Sequence, residues 1–162
     1  MDTNNLPIIE LAGSPRQRGQ IYGESVRSHI AAIVEAFKHN LCRYSENTSA
    51  EHQFNPDHYL QVFLNETGYI DVVKNSAPDL YQEVAGIAEG SGQSLTDILA
   101  LQLADEEWVY GANVGYPRQR EKCTGFAILD SQSPTTWAGQ NMDIPSWTEG
   151  HQVLLRVMPT DS

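Results

Sequence analysis

The sequence predicts one domain in which a run of helices is followed by a group of strands. Two patterns predict it. Between residues 15 and 107 apolar side chains recur at three- and four-residue steps, the period of a helix with one buried face. From residue 122 onward the apolar residues alternate in the period of a strand, around Phe126 and Ile128, again from Thr136, and again over 152–157. A length of 162 residues is enough for one ordinary core.

The elements follow in order. Leu6-Pro7-Ile8-Ile9-Glu10-Leu11 reads as a short strand. Gly13-Ser14-Pro15 is a turn and a helix entry, with Ser14 as N-cap and Pro15 at the first helical position. A long amphipathic helix is expected from there to about Leu41, with Ile30, Ile33, Val34, Phe37 and Leu41 on one side. Gly19 and Gly23 share a face of this helix, so another element is expected to pack closely against bare backbone. Cys42 falls on the helix's polar edge and reads as structural. Ser45 to Asn55 is polar and loop-like. Pro56 to about Lys74 is the next helix, with Tyr59, Val62, Phe63 and Ile70 as core candidates and Gly68 weakening its middle. Ala77-Pro78 starts a further helix, stopped by Gly90-Ser91-Gly92. Ser94 or Thr96 caps another, running to about Glu107. Gly111 to Glu121 is a loop that delivers the chain to Cys123.

The last part reads as a β-hairpin. Residues 122–130 form one strand, Asp130 to Thr135 is a polar turn with Ser133-Pro134, and Thr136-Trp137-Ala138 begins the return strand. Gly139 suggests a bulge or a close backbone approach. A hairpin brings its two ends together, so the Cys123 thiol and the Asn141 and Asp143 side chains are expected near one another. Ile144 to Gly150 is a loop, and Gln152 to Val157 a third strand.

Composition narrows the function classes. A net charge of -11 argues against nucleic acid as a partner. No apolar run reaches membrane-spanning length, and the polar start lacks the regions of a signal peptide, so a cytoplasmic protein is expected, with no membrane partner. Two cysteines make no disulfide framework, and five histidines without ligand spacing point away from a metal.

Three stretches resemble a known family. Cys-Thr-Gly-Phe-Ala at 123–127 with Gly-Gln-Asn-Met-Asp-Ile at 139–144 looks like the active-site hairpin of cysteine N-terminal-nucleophile (Ntn) hydrolases, in the form found in the acyl-CoA:6-aminopenicillanate acyltransferase group. The Asn-Met-Asp-Ile part is also similar to bile-salt hydrolases and penicillin V acylases. Gly13-Ser14-Pro15 with Gly19 and Gly23 resembles the opening of the acyltransferase group. Pro78, Glu83, Gly86-Ile87-Ala88-Glu89-Gly90-Ser91-Gly92 and Asp97-Ile98-Leu99-Ala100-Leu101 fall in register with a run of the same group. Gln102 and Ala104 stand where relatives carry Asn and Arg, whereas Glu106 fits. Gln140 stands where the bile-salt hydrolases have Arg and the acyltransferase group has Gln, which favours the latter.

The resemblance implies an α+β fold, the Ntn αββα sandwich, of which this chain would hold the N-terminal part. Residues 1–122 would supply mostly helices, and 123–162 would begin the catalytic subunit. It implies self-cleavage between Lys122 and Cys123, after which Cys123 is the nucleophile. A free thiol of pKa about 8.5 needs a base, and the new α-amino group, at about 7.7 to 8.0, can take its proton. Asp143 would orient that amine, and Asn141 would orient the same cluster or donate to substrate. Seen alone, each has a plainer reading: a strand-start cysteine packed for structure, a strand-end Asp, a turn Asn. Thr124 is first a β-former. Trp108, Tyr110, Trp137 and Trp147 would line an acyl pocket, or simply pack.

The implied activity is hydrolysis or transfer of the acyl group of a linear amide through a thioester on Cys123. The partner is a small-molecule amide or acyl donor. No cofactor is expected, and acyl-CoA enters only as a co-substrate. The oxyanion-hole Asn and a late Arg of the family would lie beyond Ser162. The alternative reading is a non-catalytic fragment or subunit that needs a partner or the remaining half of the fold. Its unfinished sheet would expose an edge open to self-association.

Overall fold

A computed structural model describes residues 6–45, 54–116, 123–129 and 136–158. The architecture is α+β, with seven α-helices and two small two-stranded sheets among these residues. Strand β1 (Ile8–Leu11) leads into α1 (Pro15–Ser25) and α2 (Arg27–Ser45). Helices α3 (Pro56–Thr67), α4 (Tyr69–Ser76), α5 (Pro78–Ser91), α6 (Leu95–Gln102) and α7 (Ala104–Asn113) follow. The strands β2 (Thr124–Leu129), β3 (Thr136–Asn141) and β4 (Leu154–Val157) complete the chain.

Local chemistry sets most helix ends. At the start of α1 the Ser14 hydroxyl accepts from the Gln17 amide while Gln17 Oε1 accepts from the Ser14 N–H at 2.9 Å, a capping box with Pro15 behind it. Ser94 rather than Thr96 caps α6, its hydroxyl accepting from the Asp97 N–H at 3.1 Å. Helix α5 ends on Gly92, whose φ of 72° suits glycine alone without strain.

Three expected helices are divided. Gly68 adopts φ 65° and splits the 56–74 helix into α3 and α4. The long first helix breaks at Val26 and then runs on to Ser45. Two contacts work there. Ser25 Oγ donates back to the Ile21 carbonyl at 2.7 Å, a bond that bends helices. The Arg27 guanidinium donates to the Gly90 carbonyl at 2.8 and 3.1 Å, tying the start of α2 to the end of α5. The helix expected to end near Glu107 turns at Leu103, and α7 carries on to Asn113, into residues that read as loop.

The glycines of α1 meet glycines of α5. A Cβ on Gly23 would lie 2.6 Å from the Ile87 carbonyl oxygen and 2.7 Å from the Ser91 nitrogen. A Cβ on Gly19 would strike the Glu83 carbonyl, and one on Gly86 or Gly90 would strike the carbonyl of Arg16 or Gln20. The two helices therefore run in the same direction with backbone against backbone, the close packing that the Gly19/Gly23 spacing predicts. Polar contacts flank the seam. Arg16 pairs with Glu89 and donates to Gln82 Oε1 at 3.0 Å, and Arg18 meets Glu83 at 2.8 Å. The Arg16 and Gln20 hydrogen bonds hold the Glu89 carboxyl below the usual carboxylate range.

The core sits where α2, α3, α5 and α6 meet. Ile30, Val34, Phe37 and Leu41 of α2 pack with Leu60, Phe63 and Leu64 of α3 and Ile98 and Leu99 of α6, under Ile9 and Leu11 of β1. Each such side chain contributes about 1.5–3 kcal/mol by leaving water. Of the expected core residues, Tyr59 and Phe63 are buried, while Ile33, Val62 and Ile70 are only partly so. Lys38 lies between Asp57 and Asp97 at 2.7 and 2.8 Å. Burial opposes its charge, but the two carboxylates prevail and raise its pKa.

Strand β4 pairs in parallel with β1, Ile8 opposite Leu154 through Leu11 opposite Val157, so the first and last described strands share a sheet. Strands β2 and β3 form the other sheet, antiparallel. No helix among the described residues is long and apolar enough to cross a membrane.

Candidate functional site

The hairpin is regular. Thr124 stands opposite Asn141, Phe126 opposite Gly139, Ile128 opposite Trp137 and Leu129 opposite Thr136. This register has no bulge at Gly139. The glycine is needed for contact instead: a Cβ there would lie 2.6 Å from two ring carbons of Phe126, whose ring covers the bare backbone. The expected turn, Asp130 to Thr135, and Lys122 of the expected cleavage site lie outside the described residues.

Cys123 is the residue immediately before β2, and its thiol is free and exposed. Asn141 ends β3 directly across from Thr124, and Asp143 follows two residues later. All three sit at the same end of the ladder, and all three are exposed. Side chains alternate faces along a strand. Thr124, Phe126 and Ile128 therefore share a face with Asn141, Gly139 and Trp137. Gly125, Ala127 and Leu129 share the other with Gln140, Ala138 and Thr136. Continued by one step, the register sets Cys123 opposite Met142. Asn141 is thus one residue along and one across from Cys123, and the alternation of faces sets the two on opposite faces of the continued ladder. Asp143 reaches it only through the non-strand segment after Asn141.

The four aromatic residues expected at an acyl pocket are spread apart. Trp147 lies in a short 3-10 turn (Ser146–Thr148) and packs on Phe37 of α2, ring centroids 5.8 Å apart. Tyr110 packs on Phe63 at 5.3 Å and donates to Glu66 Oε2 at 2.6 Å. Trp108 is half-buried on α7, and Trp137 stands 65% exposed on β3. Two open surface clefts, of about 380 and 420 Å³, are lined by Phe54, Asn55, Pro56 and Asp57 and by Ala12, Gly13, Gln17, Gln20, Ile21 and Glu24, none of them a hairpin residue.

Some polar groups escaped the sequence. Glu107 is fully buried and accepts from the Tyr59 hydroxyl at 2.7 Å. His29 and His151 meet edge to face with centroids 5.3 Å apart, fastening the segment before β4 to α2. Spacing along the chain carries no sign of either pair, because each joins distant elements. Among the described residues no group of three or more His, Cys, Asp or Glu is placed to hold a metal. No protein-family model and no curated protein matches the chain.

Proposed function

We propose that the chain carries the nucleophile hairpin of a cysteine Ntn enzyme, an amidohydrolase or acyltransferase. Within that class, the resemblance of 13–23, 77–101 and 123–144 favours the acyl-CoA:6-aminopenicillanate acyltransferase group. The observation that supports it most is the ladder end: an exposed thiol one residue ahead of β2, at the same end as Asn141, which stands opposite Thr124, and Asp143, two residues beyond.

Activation begins with the Cys123 thiol attacking the Lys122 carbonyl carbon. The Lys122–Cys123 C–N bond breaks, the Cys123 nitrogen takes up the thiol proton as it becomes an amine, and a thioester remains. Water hydrolyses that thioester, freeing the Lys122 carboxylate and regenerating the thiol. The amine then serves as base. It accepts the thiol proton while sulfur attacks the substrate amide, and it returns the proton to the departing amine. Asp143 orients the ammonium form, as a carboxylate orients the base of a catalytic triad. Asn141 orients the same cluster or donates a hydrogen bond to substrate. Water or a second amine then takes the acyl group, which makes hydrolysis and transfer two outcomes of one intermediate.

The exposed hairpin faces favour a second reading, a subunit that acts only with a partner. Phe126, Ile128 and Trp137 are all more than half exposed. Alkylation at pH 7 separates the readings. An activated Cys123 reacts faster in the folded protein than in the same chain unfolded in urea, and Asp143→Ala removes the difference. A folded rate equal to or below the unfolded one contradicts the enzyme reading.

A further inference from the structure

We infer that the contact between His29 and His151 is a pH-sensitive clasp: it holds the 142–153 segment and β4 on the helices while the rings are neutral and releases them when the rings are charged. His29 lies in the first turn of α2, and His151 lies three residues before β4. Their rings meet edge to face with centroids 5.3 Å apart. Both residues are partly buried. The Nδ1 atom of each is shielded from solvent and has no hydrogen-bond partner among the described residues.

Charge is costly at this contact for two reasons. A charged imidazole is a donor at both ring nitrogens, so each shielded Nδ1 would present an N–H with no acceptor. Two charged rings would also set like charges side by side. The surrounding groups give no relief. On α2, the Arg27 guanidinium is bound to the Gly90 carbonyl, and Lys38 to Asp57 and Asp97. On the sheet, Arg156 pairs with Glu10. The remaining acids of α1, α2 and the segment are Glu24, Glu35, Asp143 and Glu149. No carboxylate among the described residues pairs with either ring.

The closed contact therefore holds fewer protons than the released segment. Linkage gives the sign: the clasp is closed above the range in which histidine changes charge and opens as pH falls through it. Release reaches β4 because little else holds that strand. Trp147 packs on Phe37, and Val153 packs against the core. Strand β4 itself is bound through its ladder to β1, and Leu154, Leu155 and Val157 are about half exposed, so their burial adds little. A two-stranded ladder is marginal in water. The inference is independent of the enzymatic reading.

Trp147 emission tests it, in a chain whose other two tryptophans, Trp108 and Trp137, are replaced by phenylalanine. Between about pH 7.5 and about pH 5, where histidine changes charge, the emission is expected to shift to longer wavelength, toward that of the same chain in urea. Far-ultraviolet circular dichroism keeps its helical signal over the same interval. His29→Phe and His151→Phe each keep a ring at the contact without a charge, and each abolishes the shift. A second measurement uses the unaltered chain. In its NMR spectra the imidazole signals of His29 and His151 move over the same interval in which β4 amides lose protection from exchange, after correction for the intrinsic effect of pH. Emission unchanged down to about pH 5, a shift retained in either phenylalanine variant, loss of the helical signal together with the shift, or equal β4 protection at both ends of the interval would each overturn the inference.

Discussion

Replacing Gly23 by alanine tests the packing that orders the helices. In an exposed helix interior this change stabilises by about 1 kcal/mol, because alanine is the better helix former. At the α1–α5 seam the new methyl would stand 2.6 Å from the Ile87 oxygen and 2.7 Å from the Ser91 nitrogen, about 0.8 Å inside ordinary contact. Both neighbours are backbone, so no side chain can turn away, and the helices must part. A gap of 0.5–1 Å forfeits roughly a quarter to a half of the dispersion between facing atoms. Overpacking of this kind costs about 1–3 kcal/mol, and the rigidity of both walls argues for the upper end. Less the gain in propensity, the net loss is about 2 kcal/mol. For a chain of this size that lowers Tm by about 4–8 °C. Urea unfolding and thermal melting followed by circular dichroism read both quantities. Unchanged or increased stability would refute the backbone-to-backbone seam, since propensity alone predicts the opposite sign.

Two further outcomes follow from buried polar contacts. Tyr59→Phe removes the hydroxyl that Glu107 accepts from inside the core, and a loss of about 1.5–3 kcal/mol in urea unfolding is expected; a loss below 0.5 kcal/mol, on the order of a surface substitution, would contradict the role given to that bond. Burial first, then the Glu66 carboxylate, pushes the Tyr110 phenol up to about 12. The folded state therefore holds that proton more tightly than the unfolded chain. The resulting stability is fully present below the ordinary tyrosine value of about 10 and is lost as pH rises from there through about 12. Ultraviolet titration should show a late phenolate step that Tyr110→Phe abolishes, and a Tyr110→Phe titration that keeps the step would contradict the assignment.

What the sequence made legible was mostly local. The Ser14 and Ser94 caps, the Gly92 stop and the hairpin strands each depend on a few adjacent residues, and each can be read from them. The Gly19/Gly23 spacing also announced a close approach, though not that α5 would meet it with Gly86 and Gly90. The Arg27 contact at the Val26 break was hidden because it is made to the Gly90 carbonyl, 63 residues away. Leu60 and Leu64 joined Tyr59 and Phe63 in the core where Val62 and Ile70 were expected: α3 is capped at Gly68, and Ile70 belongs to the separate helix α4. The β1–β4 pairing, the Lys38 bridge and the Glu107–Tyr59 bond join elements far apart in sequence, and no local pattern encodes them. At the candidate site, hairpin logic brought Cys123, Asn141 and Asp143 to one end. The alternation of faces that separates Cys123 from Asn141 needed the register.

The denatured intact mass of the purified protein, beside a Cys123→Ala control, bears most directly on the account. Two pieces, 1–122 and 123–162, from the wild type and one whole chain from the control are the predicted result, since only a Cys123 thiol that attacks the preceding carbonyl produces that difference. One uncut chain in both, or the same two pieces in both, would contradict the proposal that Cys123 frees its own amine and becomes the nucleophile.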